Sequence, residues 1–324
     1  RDYVRSEVLK PLSRERQRFL TRTSILERLS GPLCDALLQR SGSARTLESI
    51  ERGNLLVVPL DRERQWYRYQ LLFRDVLTAE LHRREPEMVP ELYRRAADWF
   101  ESIGLLEEAM KHAFAGGDVK RAAELLQRQL LSAYRGGRIA TMRAWFDRLG
   151  DAAEHDPGLA IAWAWVSALT GDPAVADHWL DISERSRPSG PSLHGTASLS
   201  SSLAFVRAIL TRNGPDAMQR DAELAVREEP ETSPYRSAAL SFVGLAALLG
   251  GDAERADSIF EESAAKGEGM AAHPSVSVAV AERSLIAAAR GDRHQADAFA
   301  THALEIVQTA NLSEHITSGP VYAA

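Results

Sequence analysis

The chain has 324 residues, a net charge of −6, one cysteine, and 44% hydrophobic against 26% charged residues. That length exceeds what one core uses efficiently, so more than one domain is expected, and no apolar run approaches the roughly 18 residues of a membrane span. A lone cysteine excludes a disulfide framework and a thiolate zinc site; Cys34, in PLCDALL, reads as a small buried thiol. With no apolar signal core in RDYVRSEVLK, the expected compartment is cytoplasmic.

The first predicted elements are short helices. Val4, Val8, Leu9, Leu12, Phe19 and Leu20 recur at helical spacing, and Pro11 breaks that stretch in two. Thr23 or Ser24 is expected to cap a helix over ILERLSG, Pro32 to open PLCDALLQR, and Ser43 to cap ARTLESIERGN, with Leu47 and Ile50 facing inward. Gly53 and Asn54 stop it.

The hairpin follows. LLVVPL meets the charged turn DRERQ and then the aromatic alternation WYRY, after which Leu72, Phe73, Val76, Leu77 and Leu81 share one helix face. Short helices and then a two-stranded hairpin are the order of a winged helix, with DRERQ as its wing. Such a fold can place Arg40, Arg45, Arg52, Arg62, Arg64 and Arg68 on phosphates, or simply present a solvated face. Charge favours the solvated face: residues 1–95 hold 19 Lys or Arg against 14 Asp or Glu, whereas residues 96–324 hold 20 against 31. Direct nucleic-acid binding by this chain is not expected.

From Val89 onward only helices are expected. Val89, Leu92, Ala96, Trp99, Phe100 and Ile103 form one stripe, stopped by Gly104, and LLEEAMKHAF begins the next. A Gly-Asp step then recurs at Gly117, Gly171, Gly251 and Gly291, each time with an alanine four residues after the aspartate: Ala122, Ala176, Ala256 and Ala296. Glycine supplies the left-handed residue that ends one helix, aspartate caps the next, and alanine permits close approach. Pro157, Pro191, Pro234 and Pro274 each open a helical stretch. The steps are 54, 80 and 40 residues apart, so a unit of about 40 fits if a degenerate turn at Asn213 and Gly214 divides the 80. This describes a helix-pair solenoid, longer in period than the roughly 34-residue tetratricopeptide repeat. Residues 183–202, rich in Ser, Gly and Pro, read as a long loop between repeats.

Catalytic and metal chemistry find no support in the sequence. There is no phosphate loop, no nucleophile elbow and no histidine pair at metal-ligand spacing; His294 and His302 lack acid or cysteine partners, and Gly267 and Gly269 lack the strand context of a dinucleotide fingerprint. Neither a catalytic nor a metal site is expected. Trp163, Trp165 and Trp179, beside the first clear repeat, are candidates for ligand or partner binding on a concave face, although tryptophans at helical spacing also fill the space between helices.

The segments FLTRTSILERLSGPLCDALL, LESIERGNLLVVPLDRERQWYRYQLLFRDVLTAEL and AADWFESIGLLEEAMKHAFAGGD resemble the large ATP-dependent LuxR-type regulators related to MalT. The resemblance is close to about residue 150 and continues beyond it in repeat style. It implies a signal-transducing NTPase domain, a winged helix, superhelical repeats that take up inducer, and a terminal helix-turn-helix. Related architectures attach the same region to kinases or cyclases. Since TSGPVYAA stops where another helix pair would begin, the chain is expected to be a fragment. ATP or ADP then belongs to the parent protein and no cofactor to this chain. In that family the position after the aromatic run commonly reads YRYH, with a histidine that resembles the winged-helix histidine through which related signalling NTPases sense bound ADP; here Gln70 stands there. The amide can replace that hydrogen bond without its charge, or Gln70 can simply begin the following helix.

The reading is therefore mostly α: a winged-helix domain over 1–85, a helical arm over 86–156, and tetratricopeptide-like repeats over 157–324, truncated at the C-terminus. The expected function is the sensing and interaction region of a MalT-like LuxR-type regulator, not itself an enzyme. Its partners are the NTPase domain of the same polypeptide and an unknown small-molecule inducer or regulatory protein; no membrane is involved. The alternative is a regulatory appendage of a signalling enzyme such as a Ser/Thr kinase or a cyclase.

Overall fold

The computed structural model describes residues 12–53, 57–185 and 196–324. It divides into two compact units, the first ending at Leu125 and the second beginning at Leu126.

The first unit opens with α1 (Arg14–Thr23), α2 (Gly31–Leu38) and α3 (Ser43–Arg52), continues through β1 (Val57–Pro59) and β2 (Tyr67–Tyr69), and returns to helix in α4 (Leu71–Arg84). This is the winged-helix order. Strands β1 and β2 pair antiparallel, with Val57 opposite Tyr69 and Pro59 opposite Tyr67. On β2, Tyr67 and Tyr69 turn inward and Arg68 outward, as a period of two requires. Asp61 shapes the wing, its carboxylate accepting from the Gln65 and Trp66 amides at 3.0 and 2.7 Å. Helices α5 (Val89–Ser102) and α6 (Leu106–Ala115) follow, and α7 runs from Val119 to Arg135.

Several local expectations change. ILERLSG is not a helix. Thr23 Oγ1 donates to Phe19 O at 2.7 Å and Ser24 Oγ to Thr21 O at 2.7 Å, so both hydroxyls serve the end of α1 instead of opening a new helix. Leu29 instead pairs with Tyr67 through two backbone hydrogen bonds of 2.8 Å, adding a one-residue third strand. Ser43 is the first residue of α3 rather than its cap: its amide donates to Asp35 Oδ1 at 2.9 Å, and Gly42, at φ 89°, precedes it. The inward face of α4 is Phe73, Val76, Leu77, Glu80 and Leu81, which turns Leu72 out to 81% exposure. Ile103, past the end of α5, is also exposed. Val4 to Pro11 and the first residues of LLVVPL lie outside the described residues.

The second unit contains α8 (Ile139–Leu149), a 3-10 turn over Gly150–His155, and then α9 (Pro157–Leu169), α10 (Pro173–Arg185), α11 (Leu199–Leu210), α12 (Gly214–Glu228), α13 (Pro234–Leu249), α14 (Ala253–Glu268), α15 (His273–Ala289), α16 (Arg293–Thr309) and α17 (Ser318–Ala323). It is a helical solenoid. Of the segment read as a loop over 183–202, the described ends are helical up to Arg185 and from Leu199; Pro191 lies outside the described residues.

The Gly-Asp steps act as their chemistry requires. Gly117, Gly171, Gly251 and Gly291 all have φ between 73° and 87°. Each following aspartate accepts from the amide three residues on, at 3.0 Å for Asp118, 3.4 Å for Asp172, 3.1 Å for Asp252 and 3.0 Å for Asp292. Its own amide reaches back to the carbonyl five residues earlier, the hydrogen bond that closes a helix over a left-handed residue. Ala122, Ala176 and Ala256 are wholly buried.

Other left-handed positions carry no Gly-Asp signal. The turn at Asn213 and Gly214 does divide the interval of 80, with Gly214 at φ 79° and Thr211, at φ 50°, ending the helix before it, and Ala271 and Asn311 take left-handed positions at φ 51° and 55°. Positions 171, 211, 251 and 291 are thus 40 residues apart, and 271 and 311 fall midway in the same register. The core between these helices is built from small residues: Ala256, Phe260, Val276, Ala279, Val280, Ile286, Ala303 and Val307 form one cluster. Alanine keeps the helices close, and the few larger side chains each contribute about 1.5–3 kcal/mol by burial.

Candidate functional site: a groove at Gln70 and an aromatic pocket at Trp165

Gln70 lies where β2 hands over to α4. It occupies the N-cap position at φ −60° and ψ 138°, its side chain makes no capping hydrogen bond, and its carbonyl accepts from Arg74 N at 2.9 Å. The backbone of Gln70 therefore starts the helix while its exposed amide is left for other partners. It lines an open groove of about 930 Å³ with Arg28, Trp66, Arg68, Leu71 and Arg74.

Charge in the groove is lopsided. Of its acids, Asp61 is occupied by the wing amides, and Glu27 pairs with Lys111 at 2.6 Å, a hydrogen bond that holds its carboxyl below the usual range. Among the described residues no carboxylate lies within ion-pair distance of Arg28, Arg68 or Arg74. Beside these cations Leu60 and Leu71 are 42% and 65% exposed, an apolar step on a cationic wall. The other arginines singled out from the sequence divide: Arg40 is held by Glu15 and Thr46, Arg52 by Glu48 and Arg64 by Glu51, whereas Arg45 and Arg62 are exposed.

The three tryptophans separate into two environments. Trp163 stacks on Trp179, with ring centroids 4.2 Å apart and planes at 16°, and its other neighbour is Phe146 at 5.5 Å. That column fills the space between α8, α9 and α10. Trp165 faces elsewhere, against Tyr134 at 4.7 Å, and lines a pocket of about 60 Å³ with Phe205, Tyr235 and Arg135.

Tyr134 and its surroundings escaped the sequence reading. Its ring meets His315 edge-on at 4.9 Å, and its carbonyl accepts from His315 Nε2 at 3.0 Å. The tautomer follows from geometry: Thr317 N donates to His315 Nδ1 at 3.2 Å, so the proton resides on Nε2. Burial holds His315 below the ordinary histidine value and so keeps it neutral. No spacing signal could link residues 181 positions apart. Among the described residues, no three His, Cys, Asp or Glu side chains converge as a metal requires, and no helix is long and apolar enough to cross a membrane.

Comparison with known proteins accords with this geometry. Residues 5–89 match the MalT winged helix domain. The serine/threonine-protein kinase PknK of Mycobacterium tuberculosis is 31% identical over 176 residues, 54% of this chain and 16% of that protein. The HTH-type transcriptional regulator MalT is 25% identical over 81% of this chain in Vibrio cholerae and 24% over 97% in Serratia proteamaculans, covering 29% and 35% of those proteins. A solved STAND signal transduction ATPase with a tetratricopeptide repeat sensor, from Pyrococcus horikoshii, aligns over 96% of this chain and 53% of its own with a TM-score of 0.54; at 13% identity it speaks to the fold alone. The first part of the chain is thus a MalT-type winged helix domain. Beyond it the chain remains similar to MalT regulators, and it spans between 16% and 35% of the curated relatives it matches.

Proposed function

We propose that this chain is the sensing and coupling region of a LuxR-type, MalT-like, ATP-dependent transcriptional regulator of the cytoplasm. The winged helix reads the nucleotide state of an NTPase domain on the same polypeptide, and the solenoid takes up an inducer or a regulatory protein. ATP or ADP and promoter DNA are bound by other segments, and no catalysis is assigned to residues 1–324. The observation that carries this reading is the groove at Gln70, where an uncommitted amide, three arginines and two exposed leucines share one surface. That surface suits a protein face presenting phosphate oxygens. The test begins with the coding sequence on either side: a phosphate loop before this region and a helix-turn-helix after it support the reading, and their absence overturns it. In that polypeptide, Arg74→Ala together with Arg68→Ala is expected to weaken ADP binding at least tenfold; unchanged affinity removes the groove from the mechanism.

The match to PknK favours a second reading, a regulatory appendage of a serine/threonine kinase. It covers 54% of the chain, against 97% for a MalT regulator. A kinase domain in the flanking sequence would establish it.

A further inference from the structure

A second pocket of the first unit is dominated by charge. It opens between α1 and α3, holds about 280 Å³, and among the described residues shares no lining side chain with the groove at Gln70. Arg16, Arg40 and Arg45 line it with the hydroxyls of Ser13, Thr46 and Ser49, and Glu15 is its one acid among the described residues.

The three arginines are not equivalent. Arg40 is fixed: it donates to Glu15 Oε1 and to Thr46 Oγ1, each at 3.0 Å, and its guanidinium lies 5.1 Å from the centre of the buried Phe19 ring. It engages the acid and adds positive potential. Arg16 reaches from α1 to α3, where Nη2 donates to Ser49 Oγ at 2.7 Å, so the Ser49 hydroxyl keeps its own proton for a third group. Arg45 stands one turn before Ser49 on the same face of α3, exposed and without an ion pair among the described residues. Two guanidiniums and a hydroxyl, carried by two helices, thus border one space.

That arrangement selects among anions. A carboxylate is planar and is satisfied by one guanidinium fork, whereas a phosphoryl group presents three oxygens in different directions and can meet Arg16, Arg45 and the Ser49 hydroxyl at once. The pocket is nearly twice the roughly 150 Å³ that takes a benzene-sized body, so a phosphoryl group enters with a small organic remainder attached. A monoester suits a bounded pocket better than a diester, because its phosphorus carries one substituent and its charge is about −1.5 to −2 at pH 7, against the single charge of a phosphodiester.

We propose that this pocket binds a small phosphomonoester, its phosphoryl oxygens held between Arg16 and Arg45. The ligand ties α1 to α3, the two helices that Arg16 already joins through Ser49. The site is separate from the nucleotide reading of the groove at Gln70 and does not depend on it.

The test uses the full chain with glycerol phosphate as probe, read by calorimetry at low ionic strength. Glycerol phosphate is expected to bind with a dissociation constant at or below about 1 mM, dimethyl phosphate about tenfold more weakly, and glycerol not at all. Arg16→Gln and Arg45→Gln should each weaken glycerol phosphate at least about fivefold without moving the unfolding midpoint, because both side chains are exposed. Ser49→Glu, which sets a carboxylate against Arg16, should abolish binding. Arg68→Ala together with Arg74→Ala, in the groove at Gln70, should leave it unchanged. No binding, equal binding of monoester and diester, or binding that survives Arg16→Gln and Arg45→Gln overturns the proposal. Loss of binding on Arg68→Ala with Arg74→Ala also overturns it, by moving the phosphoryl group to the Gln70 groove, where the reading of that groove would gain. A DNA duplex that binds through Arg16 and Arg45 more tightly than glycerol phosphate makes this face a nucleic-acid contact and overturns the monoester.

Discussion

His315 Nε2 donates to the Tyr134 carbonyl at 3.0 Å, joining the end of α7 to the segment before α17 across 181 residues. Backbone contact reinforces the join, since a Cβ built on Gly137 would lie 3.6 Å from His315 Cα. In an open array of helix pairs each unit touches only its neighbours and the two ends fray independently. Here residues 134 and 315, with α8 to α16 between them, share a bond. His315→Ala is expected to cost about 1–3 kcal/mol, the penalty for an unpaired buried carbonyl plus lost ring contact, and to raise amide exchange at residues 134–138 and 311–318 together. Faster exchange at one end only would show that the clasp does not couple them.

Two buried histidines set an acid limit. His112 lies between Tyr93 and Phe100, with Nδ1 donating to Glu108 O at 2.8 Å, and like His315 it is held below the ordinary value of 6.5 mainly by burial. A histidine with a depressed folded value binds its proton more readily when unfolded. Its contribution is therefore complete above 6.5 and is lost as pH falls through the folded value. Thermal midpoints should decline from about pH 7 downward, and less steeply in His112→Gln and His315→Gln; identical slopes in wild type and both variants would assign the acid limit to other groups.

Gly267 sits within α14, where a methyl group would meet Val276 Cγ2 at 2.6 Å and Ser237 Oγ at 2.7 Å. Gly267→Ala should destabilise by about 1–3 kcal/mol through overpacking between α13 and α15. Gly269→Ala is the control: its nearest neighbour is a carbonyl at 3.7 Å and its φ is −61°. A chemical denaturation series in which both variants match wild type would contradict the close packing described.

The Gln70 amide should cost the parent regulator part of its resting lock. Replacing it by a cationic donor, Gln70→His, is expected to tighten ADP binding by roughly 1–2 kcal/mol, about five- to thirtyfold, and to lower uninduced output. If the neighbouring arginines already saturate the phosphate, neither quantity will change, and Gln70 is then only the residue at which α4 starts.

Period and turn chemistry made the solenoid legible, because Gly-Asp followed by a buried alanine states a helix end, a helix start and a close contact within a few residues. The winged helix was legible through the alternation at Tyr67 and Tyr69. What failed was local competition: Thr23 and Ser24 look like caps, but a hydroxyl can equally bond backward, and only the pairing of Leu29 with Tyr67 shows which. Leu72 failed differently, since a one-residue shift on a helix is about 100° and an apolar side chain does not declare its own face. At the candidate sites the sequence indicated Gln70 and Trp165. It could not part Trp165 from Trp163 and Trp179, nor bring Arg135, Phe205, Tyr235 and His315 to the same neighbourhood, because those contacts are made by the winding of the array.

The left-handed residues at 171, 211, 251 and 291 carry an implication for how such a chain can change length. At 171, 251 and 291 each turn is a self-contained joint, with its hinge residue, its returning amide and its capping carboxylate all within a few positions. Residues 252–291 therefore form a cassette that begins and ends on equivalent joints, Asp252 after Gly251 and Asp292 after Gly291. Copying or excising it moves no joint out of phase, so the array can grow or shrink by 40 residues in a single genetic event. An insertion of any other length would have to rebuild a turn and the helix faces on both sides of it. The closure at Tyr134 and His315 then acts as a gauge, because only one number of cassettes brings those two residues face to face.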